Sequence, residues 1–244
     1  MSEKRAAGAR RLLTALAALA ALSACSDMRP QLDVASAQAP AVSAPLVSGF
    51  PRLLSPGPSD AMPDEEVACR RDLRRLGVGF RDLPPIREGA CGIDHPVEVS
   101  RLPGGIDLKP AATLNCRMAL TFSRWTREEL QPAARLRYLS SVASIHQASA
   151  YACRNMIGAS ESKLSEHASG NALDVSAIFL SNGDEIDVRK PRLFAFRQRS
   201  LLNTVRGDAC DYFSTVLGPG YNREHKNHFH FDLRPRKGGR TSCN

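Results

Sequence analysis

Two stretches of the chain carry side chains whose types and spacing could do chemistry. Ser165-Glu166-His167-Ala168-Ser169-Gly170-Asn171-Ala172-Leu173-Asp174 offers an imidazole and a carboxylate seven residues apart. Downstream, His225-Lys226-Asn227-His228-Phe229-His230-Phe231-Asp232 packs three of the six histidines into six residues. Zinc favours imidazole nitrogen and carboxylate oxygen, and a catalytic zinc keeps three protein ligands with a fourth position open. His167, Asp174 and one histidine of the downstream cluster would complete such a set, and the chemistry expected is that of a zinc hydrolase. A lone histidine or a lone His-x-His is more often structural. The joint pattern is what points to a metal.

Strands and turns must bring these side chains together. Residues 172–180 alternate toward a strand that starts close to Asp174, and Gly170 suggests a tight turn between His167 and Asp174. Residues 228–233 read as a final strand, on which His228 and His230 share one face. Antiparallel neighbours would then bring His230 to Asp174. Asn182-Gly183 signals a hairpin, with both central turn residues at positive φ. Further strands are expected at 97–102, 142–146 and 149–153.

Asn115 is placed to cap a helix over 116–131, whose Met118, Phe122 and Trp125 form one apolar face, read as core. A second helical stretch covers 192–216 through Leu193, Phe196, Leu201, Leu202 and Val205, in two pieces around Gly207, before Gly218-Pro219-Gly220 breaks the chain. The fold class predicted is α+β: an antiparallel sheet with helices packed on one side and the zinc site on the central strands.

The first residues read as an export signal. Lys4, Arg5, Arg10 and Arg11 precede a run rich in Ala and Leu over 12–24, too short to span a bilayer comfortably. Leu22-Ser23-Ala24-Cys25 resembles the lipobox of bacterial lipoproteins, which implies lipid on Cys25 and a membrane anchor, and Ser26 resembles the signal for outer-membrane sorting. An ordinary secretory signal that contains a cysteine is the alternative. Either way the chain is exported, and a periplasm-facing lipoprotein of the cell envelope is expected.

With Cys25 lipidated, Cys69, Cys91, Cys116, Cys153, Cys210 and Cys243 remain. An even number in an oxidising compartment reads as disulfides, and no C-x-x-C pair favours a zinc site instead. Of about 15 possible pairings, 69–91, 116–153 and 210–243 are expected, because each closes one local unit. Residues 25–63 are Ala-, Pro- and Ser-rich without periodicity and read as a flexible tether, leaving 64–244 as one domain. The formal charge of +8 loses a net three on removal of Lys4, Arg5, Arg10, Arg11 and Glu3, leaving +5. In an exported lipoprotein that balance favours cell-wall polymer or anionic lipid over nucleic acid, with solvated charge as the plain alternative.

The string Ser165-x-His167-x-x-Gly170-x-Ala172-x-Asp174 with His228-x-His230 resembles the zinc peptidase clan of D-alanyl-D-alanine carboxypeptidases, lysostaphin and hedgehog domains. The chain from about Asp64 onward resembles the bacterial extensin-like C-terminal family, through Ser149-Ala150-Tyr151-Ala152-Cys153-Arg154-Asn155, the zinc motif and His228-Phe229-His230-Phe231-Asp232. The clan implies His167, Asp174 and His230 as zinc ligands. Its carboxypeptidase branch carries a glutamate base where this chain has Asn227. The His225-x-x-His228-x-His230 spacing is instead similar to penicillin-insensitive murein endopeptidases, which implies acid–base work for His228 first and His225 second, with Glu224 in reserve. Arg154 stands where that carboxypeptidase branch binds a substrate carboxylate, although a structural salt bridge is the alternative. Ser165 could bond substrate or cap the local turn. The function expected is hydrolysis of amide bonds in peptidoglycan stem peptides or crosslinks. The rival is a zinc-bearing, non-catalytic binding or structural domain of the envelope.

Overall fold

The computed structural model describes residues 62–156, 163–189 and 194–244. The expected leader, lipidated Cys25 and most of the tether lie outside the described residues, as do Arg192 and Leu193. All described residues belong to one compact unit.

Chain order begins with α1 (Asp64–Arg75), β1 (Gly79–Asp82) and the small hairpin β2 (Ile86–Glu88) and β3 (Cys91–Ile93). Then come β4 (Pro96–Leu102), β5 (Ile106–Asn115) and α2 (Cys116–Trp125), which runs through a π-helical turn into α3 (Gln131–Tyr138). β6 (Val142–Ser149), a 3₁₀ turn (Glu166–Ser169), β7 (Ala172–Leu180) and β8 (Glu185–Asp187) follow. The chain ends with α4 (Phe196–Asp208), β9 (Thr215–Leu217), β10 (Phe229–Asp232) and β11 (Ser242–Cys243).

The main sheet runs β1-β4-β5-β6-β7-β10-β9-β11, with β8 hydrogen-bonded to β7. The sheet is mixed rather than purely antiparallel, because β5–β6 and β9–β11 are parallel. The first of these parallel pairs follows from its connection: α2 and α3 lie between β5 and β6 and return the chain in the same direction. β7 and β10 sit inside the sheet, paired antiparallel.

Asn115 caps α2 as its sequence position predicts, its Oδ1 accepting the Met118 N–H at 2.8 Å. Met118, Phe122 and Trp125 are fully buried. The helical run extends past residue 131 to Tyr138 through a π turn over Thr126–Leu130, at whose start Thr126 donates its hydroxyl to the Phe122 carbonyl. All four helices feed one hydrophobic cluster with the sheet, through Leu73, Phe122, Ala134 and Leu201 among others. Trp125 closes it by donating its indole N–H to the Val205 carbonyl.

Several elements differ from the sequence expectation. α1 was not anticipated, although three acidic residues open it and Arg74 and Arg75 end it, matching the helix dipole. Buried Arg70 fixes it, bonding Glu66, Asp82 and the His95 carbonyl. A single strand, β6, replaces the two expected over 142–153. α4 contains Gly207 without a break and stops at Asp208. The β7–β8 hairpin forms, but only Gly183 takes positive φ (+92°), while the Asn182 side chain accepts the Asp184 N–H.

Two of the three disulfide pairings are also corrected. Cys69 joins Cys116, and Cys91 joins Cys153; Cys210–Cys243 is as expected. The bonds staple α1 to the start of α2, and the β2–β3 hairpin to the segment after β6, so tertiary packing and not sequence proximity selects the partners.

Candidate metal centre

Gly170 sets the loop that carries the first candidate ligand. Its φ is +62°, and a Cβ there would collide with the Ile93 side chain and lie 2.8 Å from the Asn115 backbone nitrogen. Asn115 donates its backbone N–H to the Gly170 carbonyl at 2.9 Å, so the cap of α2 also pins this turn. Ser165 opens the 3₁₀ turn, its Oγ accepting the His167 N–H at 3.4 Å. Of the two roles open to Ser165 the structure therefore displays capping, and its side chain also lines the cleft.

His167 is fully buried, and its Nδ1–H donates to the Ala150 carbonyl at 2.6 Å. That bond leaves Nε2 facing Asp174 Oδ2 at 3.3 Å and His230 Nδ1 at 3.3 Å. On β10, His230 lies directly opposite Asp174 on β7. Its Nδ1 is 2.8 Å from Asp174 Oδ1, and its Nε2 is 2.9 Å from Asp232 Oδ2. Strand alternation sends Phe229 and Phe231 into the core and puts His230 and Asp232 on the opposite face.

The electrostatics of this cluster favour positive charge beside Asp174. Burial works against ionised Asp174, but hydrogen bonds and charge from His167 and His230 hold its carboxyl far below the usual range. Burial likewise opposes ionisation of Asp232, and the His230 bond overcomes it. Burial disfavours charge on His230, yet the bonds to Asp174 and Asp232 outweigh it and raise the ring to about 9. Two carboxylates, both acceptors only, thus face the two nitrogens of one imidazole, so positive charge is favoured at this point, as a proton on His230 Nδ1 or as a metal ion in that proton's place.

The spacing of the ligand atoms also suits a divalent cation. Ligand atoms about 2.1 Å from a tetrahedral ion lie roughly 3.4 Å apart, close to the 2.8–3.3 Å separations here. The outer nitrogens of both histidines are held by acceptors, the arrangement that orients metal-ligating imidazoles. His167, Asp174 and His230 therefore fit a metal ion, and they form a group whose ligand atoms all lie within 4.8 Å of one another.

The remaining expected residues converge on the same cleft, about 230 Å³ in volume. Arg154 brings Nη2 to 3.9 Å from Asp174 Oδ2. His228 brings Nε2 to 3.9 Å from the same oxygen, and its Nδ1 donates to Asn227 Oδ1. His225 packs beside both downstream histidines, tilted against His228 and edge-on to His230, ring centres 5.2 and 5.8 Å away. Its Nδ1 donates to Asn222 Oδ1 at 2.6 Å, an oxygen identified by the backbone N–H that it also accepts. Burial, then the neighbouring histidine charges, lower His225 to about 4; burial is the leading cause that lowers His228. Burial thus favours the neutral imidazole at both positions. Glu224 lines the cleft and lies 3.8 Å from Arg223.

Several participants had been given no role. Asp232 holds His230, and the His230-x-Asp232 spacing on a strand was the signal for it. Asn222 and Asn227 fix the tautomers of the flanking histidines. The Ala150 carbonyl has no sequence signature at all. Arg234 and Arg236 line the cleft from beyond β10.

Among known families, the profile described as "Extensin-like protein C-terminus" matches residues 67–244. No curated protein and no solved structure matches the chain.

Proposed function

The chain belongs to the extensin-like C-terminal family, and on that premise we propose that it is a zinc-dependent peptidase acting on amide bonds in peptidoglycan stem peptides or crosslinks. One observation carries this reading: the His167–Asp174–His230 group, which could hold a metal ion, lies in a cleft with two further imidazoles whose Nδ1 atoms are engaged by Asn222 and Asn227 and whose Nε2 atoms make no hydrogen bond among the described residues. A purely structural metal site would be closed by a fourth protein ligand and would not need proton carriers beside it.

Zinc bound there supplies a Lewis acid that polarises a carbonyl and acidifies water. His167 and His230 present one nitrogen each, their outer N–H groups fixed by the Ala150 carbonyl and Asp232. His228, whose Nε2 lies 3.9 Å from Asp174 Oδ2, accepts the proton of the attacking water at Nε2 and returns it to the leaving amine nitrogen. His225 backs it, held neutral by its burial. Arg154 receives a substrate carboxylate beside the scissile bond.

Lipidation at Cys25, an outer-membrane address and a tether of Ala, Pro and Ser suit an enzyme that must reach the wall from a membrane. A second reading, a zinc-bearing envelope module without turnover, is favoured by Asn227, which stands where the carboxypeptidase branch has its glutamate base and here holds His228 instead.

The test is muropeptide analysis of peptidoglycan incubated with the protein, beside Asp174→Ala and a chelated sample. Loss of crosslinked or terminal-residue-bearing species only with the intact metal-loaded chain is expected. An unchanged profile from protein with one bound zinc favours the binding module.

A further inference from the structure

Besides Arg154 and Arg234, which lies 3.8 Å from Glu166, the cleft is lined by a third guanidinium, on the flank opposite Arg154. In the sheet order β6-β7-β10-β9, Arg154 lies just past β6, while Arg236 follows β10 and reaches across to β9, where its Nη2 donates to Thr215 Oγ1 at 2.8 Å. Asp174 pairs with His230, while Thr215 pairs with Asp232 two residues further along. With neighbouring strands about 4.8 Å apart and about 3.4 Å per residue along a strand, Asp174 and Thr215 are separated by roughly 12 Å, with His230 and Asp232 on the strand between them.

Arg236 is exposed at the rim of the cleft and anchored by that one hydrogen bond. Thr215 is buried, pairs in register with Asp232, and its hydroxyl bonds that carboxylate while accepting from Arg236. The anchor uses one of five guanidinium N–H donors. Among the described residues Arg236 forms no ion pair, because the carboxylates lining the cleft are committed elsewhere: Asp174 to the histidines, Asp232 to His230, Glu166 to Asn171 and Arg234, Glu224 to Arg223. A planar fork with free donors matches a carboxylate in two-point contact.

We propose that Arg236 is a second carboxylate-binding residue of the cleft, so that the protein selects peptides whose scissile amide is bracketed by two carboxylates. Arg154 takes the one on the β6 flank and Arg236 the one on the β9 flank, with the amide over His230 and Asp174. A branched or crosslinked peptide, with an acid group on each arm, meets this spacing; a linear peptide with a single terminal carboxylate fills only one flank. The inference deepens the peptidase reading and rests on it.

The test uses the full chain loaded with zinc and three synthetic branched peptides, N-methylated at the amide so that binding alone is read: one with both carboxylates free, and two with one or the other amidated. Titration calorimetry with the wild type, Arg236→Ala, Arg236→Lys and Arg154→Ala gives the dissociation constants, and melting temperatures check folding. Arg236→Ala is expected to weaken the diacid about tenfold, to leave one monoamide unchanged, and to be partly rescued by Arg236→Lys; Arg154→Ala is expected to spare the other monoamide. Equal losses on all three peptides, or no loss on any, overturn the assignment. Cleavage of the unmethylated diacid that is indifferent to Arg236 overturns it too and leaves the peptidase standing. Absence of both binding and cleavage overturns the peptidase reading together with it.

Discussion

His230 and Asp174 face each other directly across the β10–β7 pair, Nδ1 to Oδ1 at 2.8 Å. The flanking pairs, Phe229 with Val175 and Phe231 with Leu173, are buried in the core. A one-residue slip of register would turn every side chain of β10 to the other face, exchanging the histidines for phenylalanines. The core therefore fixes the polar pair as firmly as it fixes itself.

Asp232 orients His230 from behind, through Nε2. Asp232→Asn keeps an oxygen for the Arg234 N–H and removes the charge. Zinc affinity is expected to fall roughly 10–100-fold, measured by competition with a chromophoric chelator. Unchanged affinity would mean that the bond does not tune the ligand.

Gly170→Ala places a methyl against Ile93 and the Asn115 backbone at a residue with φ of +62°. Left-handed strain and overpacking together cost about 2–4 kcal/mol, read from urea unfolding. Because the same turn carries His167, zinc binding should weaken in parallel.

The chelated chain should be most stable near pH 6.5. His230 titrates at about 9 in the folded state against about 6.5 when unfolded, so its contribution is complete below about 6.5 and is lost as pH rises through 9. His225 goes the other way. Lowered to about 4, it opposes folding increasingly as pH falls from about 6.5, where the unfolded chain takes up the proton first. The depressed carboxyls of Asp174 and Asp232 add to the acid-side loss below about pH 4. Urea midpoints between pH 4 and 9 check this; a flat profile from 6.5 to 9 would contradict the role given to His230.

His228 touches no ligand nitrogen and carries the proton in the proposed reaction. His228→Gln is expected to retain bound zinc and to lose roughly 10²–10⁴-fold in turnover. Equal loss of metal and activity would make it a structural residue of the centre.

Much of this centre was legible in the chain because strands and caps announce themselves locally. Period-two alternation placed His230 beside Asp174, and Asn115, Met118, Phe122 and Trp125 marked a capped, buried helix. What stayed hidden depends on long-range packing. Cys69–Cys116 and Cys91–Cys153 join elements 47 and 62 residues apart, which no local spacing encodes. The parallel β5–β6 pair rests on where two helices return the chain. The Ala150 carbonyl acts through its backbone and leaves no trace in residue type. Asp232 and Arg236 were visible as residues, and only the fold reveals what they touch.

The account turns on whether His167, Asp174 and His230 hold a divalent cation. The most direct measurement is the metal content of the purified chain by native mass spectrometry, with His167→Ala beside it. One zinc per wild-type chain, removed by a chelator and absent from the folded variant, is the predicted result. A wild-type chain that remains metal-free in excess zinc, or a variant that binds as well as the wild type, would contradict it.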